Sequence, residues 1–148
     1  MVEVQVRQRF EGPVERVWEV LVAIEQYPER VGSYESVEFL GEAHEGVGAR
    51  WRQTRTVFGR SHSQEMEVTR WEAPRELVLV ATESGGRYEM RYDLEAVDGG
   101  TDVVLTFSVA ATNPIAWVFV QTIGGRMLRS TGAAMAADLA ELAAVAGE

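Results

Sequence analysis

Four residues carry side chains suited to acid–base or anion-stabilising work: Arg55, His62, Tyr88 and Tyr92. A guanidinium can hold an enolate oxygen, a phenol can relay a proton, and an imidazole titrates near neutral pH. Each also has a plainer use. A sheet tyrosine packs its ring and bonds its hydroxyl to backbone or water, and an arginine can run its stem along apolar surface to the rim. Neither histidine, His44 nor His62, stands in a metal-ligand spacing, so no metal site and no cofactor is read. Cysteine is absent, which removes disulfides and thiolate chemistry. All 14 basic residues are arginine, so no lysine Schiff base can form. His44 falls in the glycine-rich segment 41–48, which lacks the Lys and Ser/Thr of a phosphate-binding loop and reads as a turn with an exposed histidine.

The elements that must position these groups follow from periodicity. Residues 2–10 alternate apolar and polar, as a half-buried strand does. Gly12-Pro13 ends that strand, and Pro13 suits the first turn of a helix. Apolar residues at 14, 17, 18, 21 and 24 then form one helical stripe. Tyr27-Pro28 breaks it, with a short second helix expected around 25–30. From Ser33 the period is two. Strands are expected at 34–40, 49–58, 61–71, 75–82, 87–96 and 101–111, joined by turns such as Ser84-Gly85-Gly86 and Asp98-Gly99-Gly100. After Pro114, residues 115–146 contain no proline and are rich in Ala, Leu and Met, which predicts one long helix interrupted or bent at Gly124-Gly125.

Short connections between strands predict an antiparallel sheet. The long helix must bury its apolar stripe, and the hollow side of a curved sheet is the surface open to it. Small residues in its second half, Gly124, Gly125, Gly132, Ala133, Ala134, Ala136 and Ala137, suggest that the space between is not filled. If strand parity holds, Trp51, Gln53 and Arg55 share a face, as do His62, Gln64, Met66 and Val68. Polar groups among large apolar ones are what small-molecule sites present. The expected ligand-lining set is Trp51, Gln53, Arg55, Gln64, Met66, Leu79, Tyr88, Met90, Tyr92, Phe107, Phe119, Ile123 and Met127. Trp71 is out of phase with Met66 and Val68, which points to a parity shift somewhere in 59–71, and one residue of slip would exchange the faces.

An ordered series of features carries a resemblance: Pro13, Val17, Trp18, Leu21, Ile24, Tyr27 and Pro28, then Gly46-Val47-Gly48, then Trp71 to Arg75 with Leu77, then Asp98 to Thr101. In this order the chain resembles the START-like superfamily, and within it the polyketide cyclase/dehydrase and lipid-transport group. The resemblance covers nearly the whole chain. It implies an α+β helix-grip (Bet v 1-like) fold: about seven antiparallel strands around a long C-terminal helix, with two short helices between the first two strands. It also implies one START-like ligand-binding domain over residues 1–148. Members bind lipids, sterols or polyketides in the cavity and some are aromatase/cyclases, with no universal catalytic motif. The expectation is binding or transport of a hydrophobic or amphipathic small molecule, with a polyketide cyclase, aromatase or dehydratase as the alternative and a protein-interaction domain as a third class.

Composition bounds the partners. The chain has 148 residues, one domain's worth. A net charge of -9 disfavours binding to a phosphate backbone, so no nucleic acid is expected. No apolar run approaches the roughly 20 residues of a membrane span, so no stable membrane insertion is expected. The alternating start MVEVQVRQRF lacks the pattern of a secretory signal, and the cytoplasm is the expected location. Monomer and homodimer both remain open. Of Trp117 and Phe119, on different sides of the last helix, one is expected to face solvent, as a membrane-touching entrance or dimer contact would.

Overall fold

Alternation in the first ten residues produces β1 (Val2–Glu11), which pairs along its whole length with the last strand, β7 (Gly100–Ala111). The computed structural model describes residues 2–57, 59–83, 86–111 and 113–147; the side chains of residues 2, 57, 83, 116 and 119–128 lie outside that description. Between these ends run β2 (Tyr34–Phe39), β3 (Arg50–Val57), β4 (Arg60–Glu72), β5 (Glu76–Glu83) and β6 (Gly86–Val97). The seven strands form one antiparallel sheet in the order β1-β7-β6-β5-β4-β3-β2. This is the helix-grip arrangement.

The helical stripe becomes α1 (Val14–Val22), which buries Val14, Val17, Trp18, Val20 and Leu21. The helix stops at Val22, and Ile24, the last member of the stripe, belongs to a separate 3-10 turn (Ile24–Gln26). α2 (Tyr27–Arg30) follows, with Pro28 in its first turn where a missing N–H costs nothing. The Tyr27 hydroxyl donates to the Leu21 carbonyl at 2.5 Å and ties the two short helices together. α3 (Pro114–Ala146) is one continuous helix of 33 residues, so Gly124-Gly125 does not interrupt it.

The core lies where α1, α2 and the second half of α3 meet the sheet. Phe10, Val17, Leu21, Leu77, Val103, Leu105 and Leu139 are at most 2% exposed there. Among the described residues two glycines allow close approach. A Cβ on Gly100 would stand 2.5 Å from the Phe10 carbonyl oxygen, and one on Gly132 would stand 3.0 Å from Val4 Cγ2. The second distance corrects an expectation. Gly132 is buried because it lets α3 close onto β1, and Ala133 and Ala137 face solvent. At Gly132 the small residue therefore marks a close approach and not a gap, while Ala134 and Ala136 are half-buried.

The parity shift is a bulge. The β4–β5 register slips between Val68 and Arg70, so Thr69 is the extra residue. His62, Gln64, Met66 and Val68 keep one phase, and Trp71 turns inward to meet Trp18 edge-on at 5.3 Å between ring centroids.

Candidate functional site

β3 and β4 carry the polar residues of the inner face as facing pairs: Trp51 with Met66, Gln53 with Gln64, and Arg55 with His62. The indole N–H of Trp51 donates to Gln53 Oε1 at 3.0 Å, and Gln53 Nε2 donates to Gln64 Oε1 at 3.4 Å. Trp51 and Gln53 are buried and Gln64 half-buried. An unpaired polar group there would cost about 1–3 kcal/mol, so this ladder satisfies itself before any ligand is considered.

Arg55 is different. Its guanidinium crosses from β3 to α3 and pairs with the Asp138 carboxylate. Its Nη2 also donates to Ser33 Oγ at 3.0 Å, and Ser33 Oγ donates in turn to Asp138 Oδ1 at 3.0 Å. The guanidinium carbon lies 4.5 Å from the centre of the Tyr34 ring. The Arg55 Nε is buried and has no acceptor among the described residues. One turn further along α3, Glu141 accepts from the Gly32 backbone N–H at 2.7 Å, so the link between α2 and β2 is fastened to α3 twice.

Tyr27, Tyr34 and Tyr92 surround this pair, and burial pushes all three phenols above their ordinary range. They stay protonated at any physiological pH and can donate. Burial also pushes the Asp138 carboxyl up, against the opposing pull of Arg55 and the Ser33 hydroxyl, with Glu141 adding to the rise. Tyr34, Arg55, Met90, Tyr92, Met135 and Asp138 are among the residues lining a chamber of about 10 Å³, which holds at most one water.

Burial falls off along the inner face away from this chamber. Leu77, Leu79, Tyr92, Leu94, Val103 and Leu105 are buried. Val4, Val6, Tyr88, Phe107 and Val109 on the same face are only half-buried. Met90, which lines the chamber, faces Phe107 in the ladder, and Phe107 stacks with Tyr88 at 6.2 Å. The strip and the chamber are thus continuous.

Of the four chemical candidates, the structure brings Arg55 and Tyr92 together at the chamber. Tyr88 lies four residues along β6 from Tyr92, and His62 is exposed opposite Arg55. His44 is exposed and stacks on Phe39 at 4.0 Å. Trp51, Met66, Leu79 and Met90 are buried on the inner face, whereas Phe119, Ile123 and Met127 lie outside the described side chains. Sequence reasoning missed Asp138 and Ser33. The signal for Asp138 is its position: it stands three residues after Met135 and four before Leu142, both buried, and so lies on the core stripe of the helix. Among the described residues no group of three or more His, Asp or Glu could hold a metal. Among the described residues no helix is long and apolar enough to cross a membrane.

A curved sheet gripping a long helix, with two short helices closing one end and a polar chamber under them, defines a START-like domain. The chain belongs to the polyketide cyclase/dehydrase and lipid transport family, whose model matches residues 1–147. Its fold is similar to that of TTHA0849 from Thermus thermophilus, at 22% identity and a TM-score of 0.79, over 98% of this chain and 97% of that one. The Zhui aromatase/cyclase from Streptomyces aligns at 20% identity and a TM-score of 0.75, over 99% of this chain and 93% of that one. A START superfamily protein from Mycobacterium smegmatis aligns at 14% identity and a TM-score of 0.67, over 90% and 94%. No curated protein sequence matches the chain.

Proposed function

We propose that this domain binds an amphipathic small molecule, with an oxygen-bearing group set against Arg55 and an apolar body laid along Val6, Tyr88, Phe107 and Val109. The observation that carries this reading is the fall in burial along one continuous inner face, from a cation held at 13% side-chain exposure to an apolar strip left half-open. Such a surface complements a ligand with a polar head and an apolar body. A lipid, a polyketide and a hydroxylated aromatic all have that form. The chamber takes one ligand oxygen in place of a water and nothing larger, so the body of the ligand belongs on the strip.

Native mass spectrometry of gently purified protein, followed by titration with fatty acids and polyphenols, tests the reading. A bound species is expected, with affinity falling roughly tenfold or more in Arg55→Met, the worth of one charge-assisted hydrogen bond. A chain that carries nothing and binds no member of such a panel would remove the proposal.

A second reading, a cyclase or dehydratase acting on a poly-keto chain, draws on one further observation. Arg55 and Tyr92 line the same chamber. The guanidinium would hold the enolate oxygen of a β-keto unit whose α-proton leaves to water, and the Tyr92 phenol would give its proton to the more basic alkoxide formed as the ring closes. Tyr88 lies about 13 Å from Tyr92 along β6, too far to share that step. Incubation with a poly-β-keto thioester should give a cyclised product that Arg55→Met and Tyr92→Phe both lose. Equal turnover in both variants would remove the catalytic reading and leave the binding one standing.

A further inference from the structure

The charge of Arg55 is already answered inside the protein. Asp138 pairs with its guanidinium, and Ser33 Oγ bridges the two, accepting from Arg55 Nη2 and donating to Asp138 Oδ1 at 3.0 Å each. What Arg55 leaves open is a hydrogen-bond donor, its buried Nε, which has no acceptor among the described residues. Arg55 and Asp138 both line the chamber of about 10 Å³, so a ligand oxygen placed there meets the pair and not a lone cation.

Few other charges act at this place. Asp138 faces Arg55 from β3, Ser33 from the α2–β2 link, Tyr27 from α2, Tyr34 from β2, Tyr92 from β6 and Glu141 from its own helix. Arg55 is the cation that acts on it, while Arg30 of α2 acts on Tyr27. The three phenols are kept protonated by burial and bring no charge. The other lining residues, Val31, Met90, Leu105, Met135, Leu139 and Leu142, are apolar. The charged residues of α1 and β1, which also pack on α3, are exposed, as is Glu29 of α2. Asp102 of β7 lies near Arg7 on the opposite face of the sheet.

A ligand carboxylate set against Arg55 would therefore be a second anion on one cation. Two carboxylates sharing such a place hold one proton between them, because like charges a few ångströms apart do not both ionise. A carbonyl or hydroxyl oxygen brings an acceptor without a charge and calls for no proton. The chain's net charge of -9 gives an anion no long-range attraction in compensation. Burial has already pushed the Asp138 carboxyl up, which readies it to take a proton when a second anion arrives.

We propose that Asp138 sets the head-group specificity of the site: a neutral carbonyl or hydroxyl enters as it is, whereas a carboxylate enters only together with one proton from solvent, which it shares with Asp138. This rests on the binding reading, which sets the head against Arg55. No covalent bond changes. The negative charge of the ligand and the positive charge of the proton arrive together, and the chamber stays neutral.

Isothermal titration calorimetry tests it with decanoate and methyl nonyl ketone, which share a nonyl tail. Titrations near neutral pH in phosphate and in Tris, which differ in ionisation enthalpy, count the protons exchanged. Decanoate should take up close to one proton on the wild-type chain. Its affinity should fall by up to roughly tenfold per unit rise in pH, the linkage of one proton. The ketone should take up none, and its affinity should not vary with pH. Asp138→Asn removes the competing anion, so it should bind decanoate without a proton and with little dependence on pH. Should that variant not fold, NMR of carboxyl-labelled decanoate on the wild-type chain takes its place: the ligand carboxyl and the Asp138 carboxyl should titrate with a common midpoint. Binding of both ligands with no proton taken up overturns the proposal and leaves the binding reading standing. Proton uptake that Asp138→Asn retains, a ligand carboxyl that titrates alone, or a site that binds the ketone and refuses decanoate at every pH overturns it as well. Failure of both ligands to bind removes the binding reading and this proposal with it.

Discussion

At the scale of single residues, Arg55 and Asp138 are the pair on which the site turns, at 13% and 18% side-chain exposure. Each satisfies a charge the other would otherwise leave in a poorly hydrated place. Arg55→Met should cost about 2–3 kcal/mol at neutral pH, the low side of the range for breaking a buried pair because some contact with water remains. The cost should depend on pH in a definite direction. The Asp138 carboxyl already sits above its ordinary value because burial outweighs the pull of Arg55. A folded-state value above the unfolded one gives stability that is fully present below about pH 4 and is lost as pH rises through the folded value. Removing Arg55 lifts the folded value further and enlarges that loss. Urea unfolding at several pH values should therefore show the Arg55→Met penalty smallest near pH 4 and growing toward neutrality, and Asp138→Asn in the same background should flatten it. A penalty independent of pH would mean that Asp138 does not depend on Arg55. Arg55 was legible in the sequence from the parity of β3. Asp138 was not, because its contact spans 83 residues and an acidic residue in an alanine-rich helix reads as a solvated face. Only its phase against Met135, Leu139 and Leu142 marks it as inward.

At the scale of elements, local chemistry was enough wherever a turn or a stripe decides the structure. The α1 stripe, the hairpin at Asp98-Gly99-Gly100 and the helix after Pro114 all form where the residue types require, with boundaries moved by one or two positions. The β4 bulge was half-legible: Trp71 betrays a slip, but only the ladder places it at Thr69. The packing of α3 was misread at Gly132, since small residues mean either a gap or a close approach, and sequence does not distinguish the two. Gly132 shows close approach, and it can be tested. Gly→Ala in a helix interior ordinarily gains about 1 kcal/mol. Here the new methyl would meet Val4 Cγ2 at 3.0 Å, on a short branched side chain fixed in β1. Gly132→Ala should therefore destabilise by roughly 1 kcal/mol. In a Val4→Ala background the same change should become favourable, as a double-mutant cycle by chemical denaturation would show. A more direct case is Gly100→Ala. Its Cβ would fall 2.5 Å from the Phe10 carbonyl oxygen, which is backbone and cannot turn away, so a loss of more than about 2 kcal/mol is expected in thermal unfolding.

At the scale of the whole molecule, the fold separates two jobs. One end of the sheet is closed by α1, α2 and the second half of α3 around a charged pair, and the other end leaves apolar surface half-covered. On the proposed binding reading, this division would make the two parts of a ligand independent. Each methylene laid on the strip should add up to about 0.8 kcal/mol, whatever the head group does. The head group should contribute through Arg55 whatever the length of the chain. Calorimetric titration of a homologous series of fatty acids against the wild-type chain and Arg55→Met should therefore give two parallel lines of binding free energy against chain length, offset by about 1.5–3 kcal/mol. Phe107→Ala should lower the slope or shorten its linear range and leave the offset in place, since Phe107 belongs to the strip and lines no part of the chamber. Lines that converge as the chain shortens would mean that head and body share one site. The polar chamber and the apolar strip would then be a single small pocket, and the division between the closed and open ends of the sheet would have no bearing on the ligand.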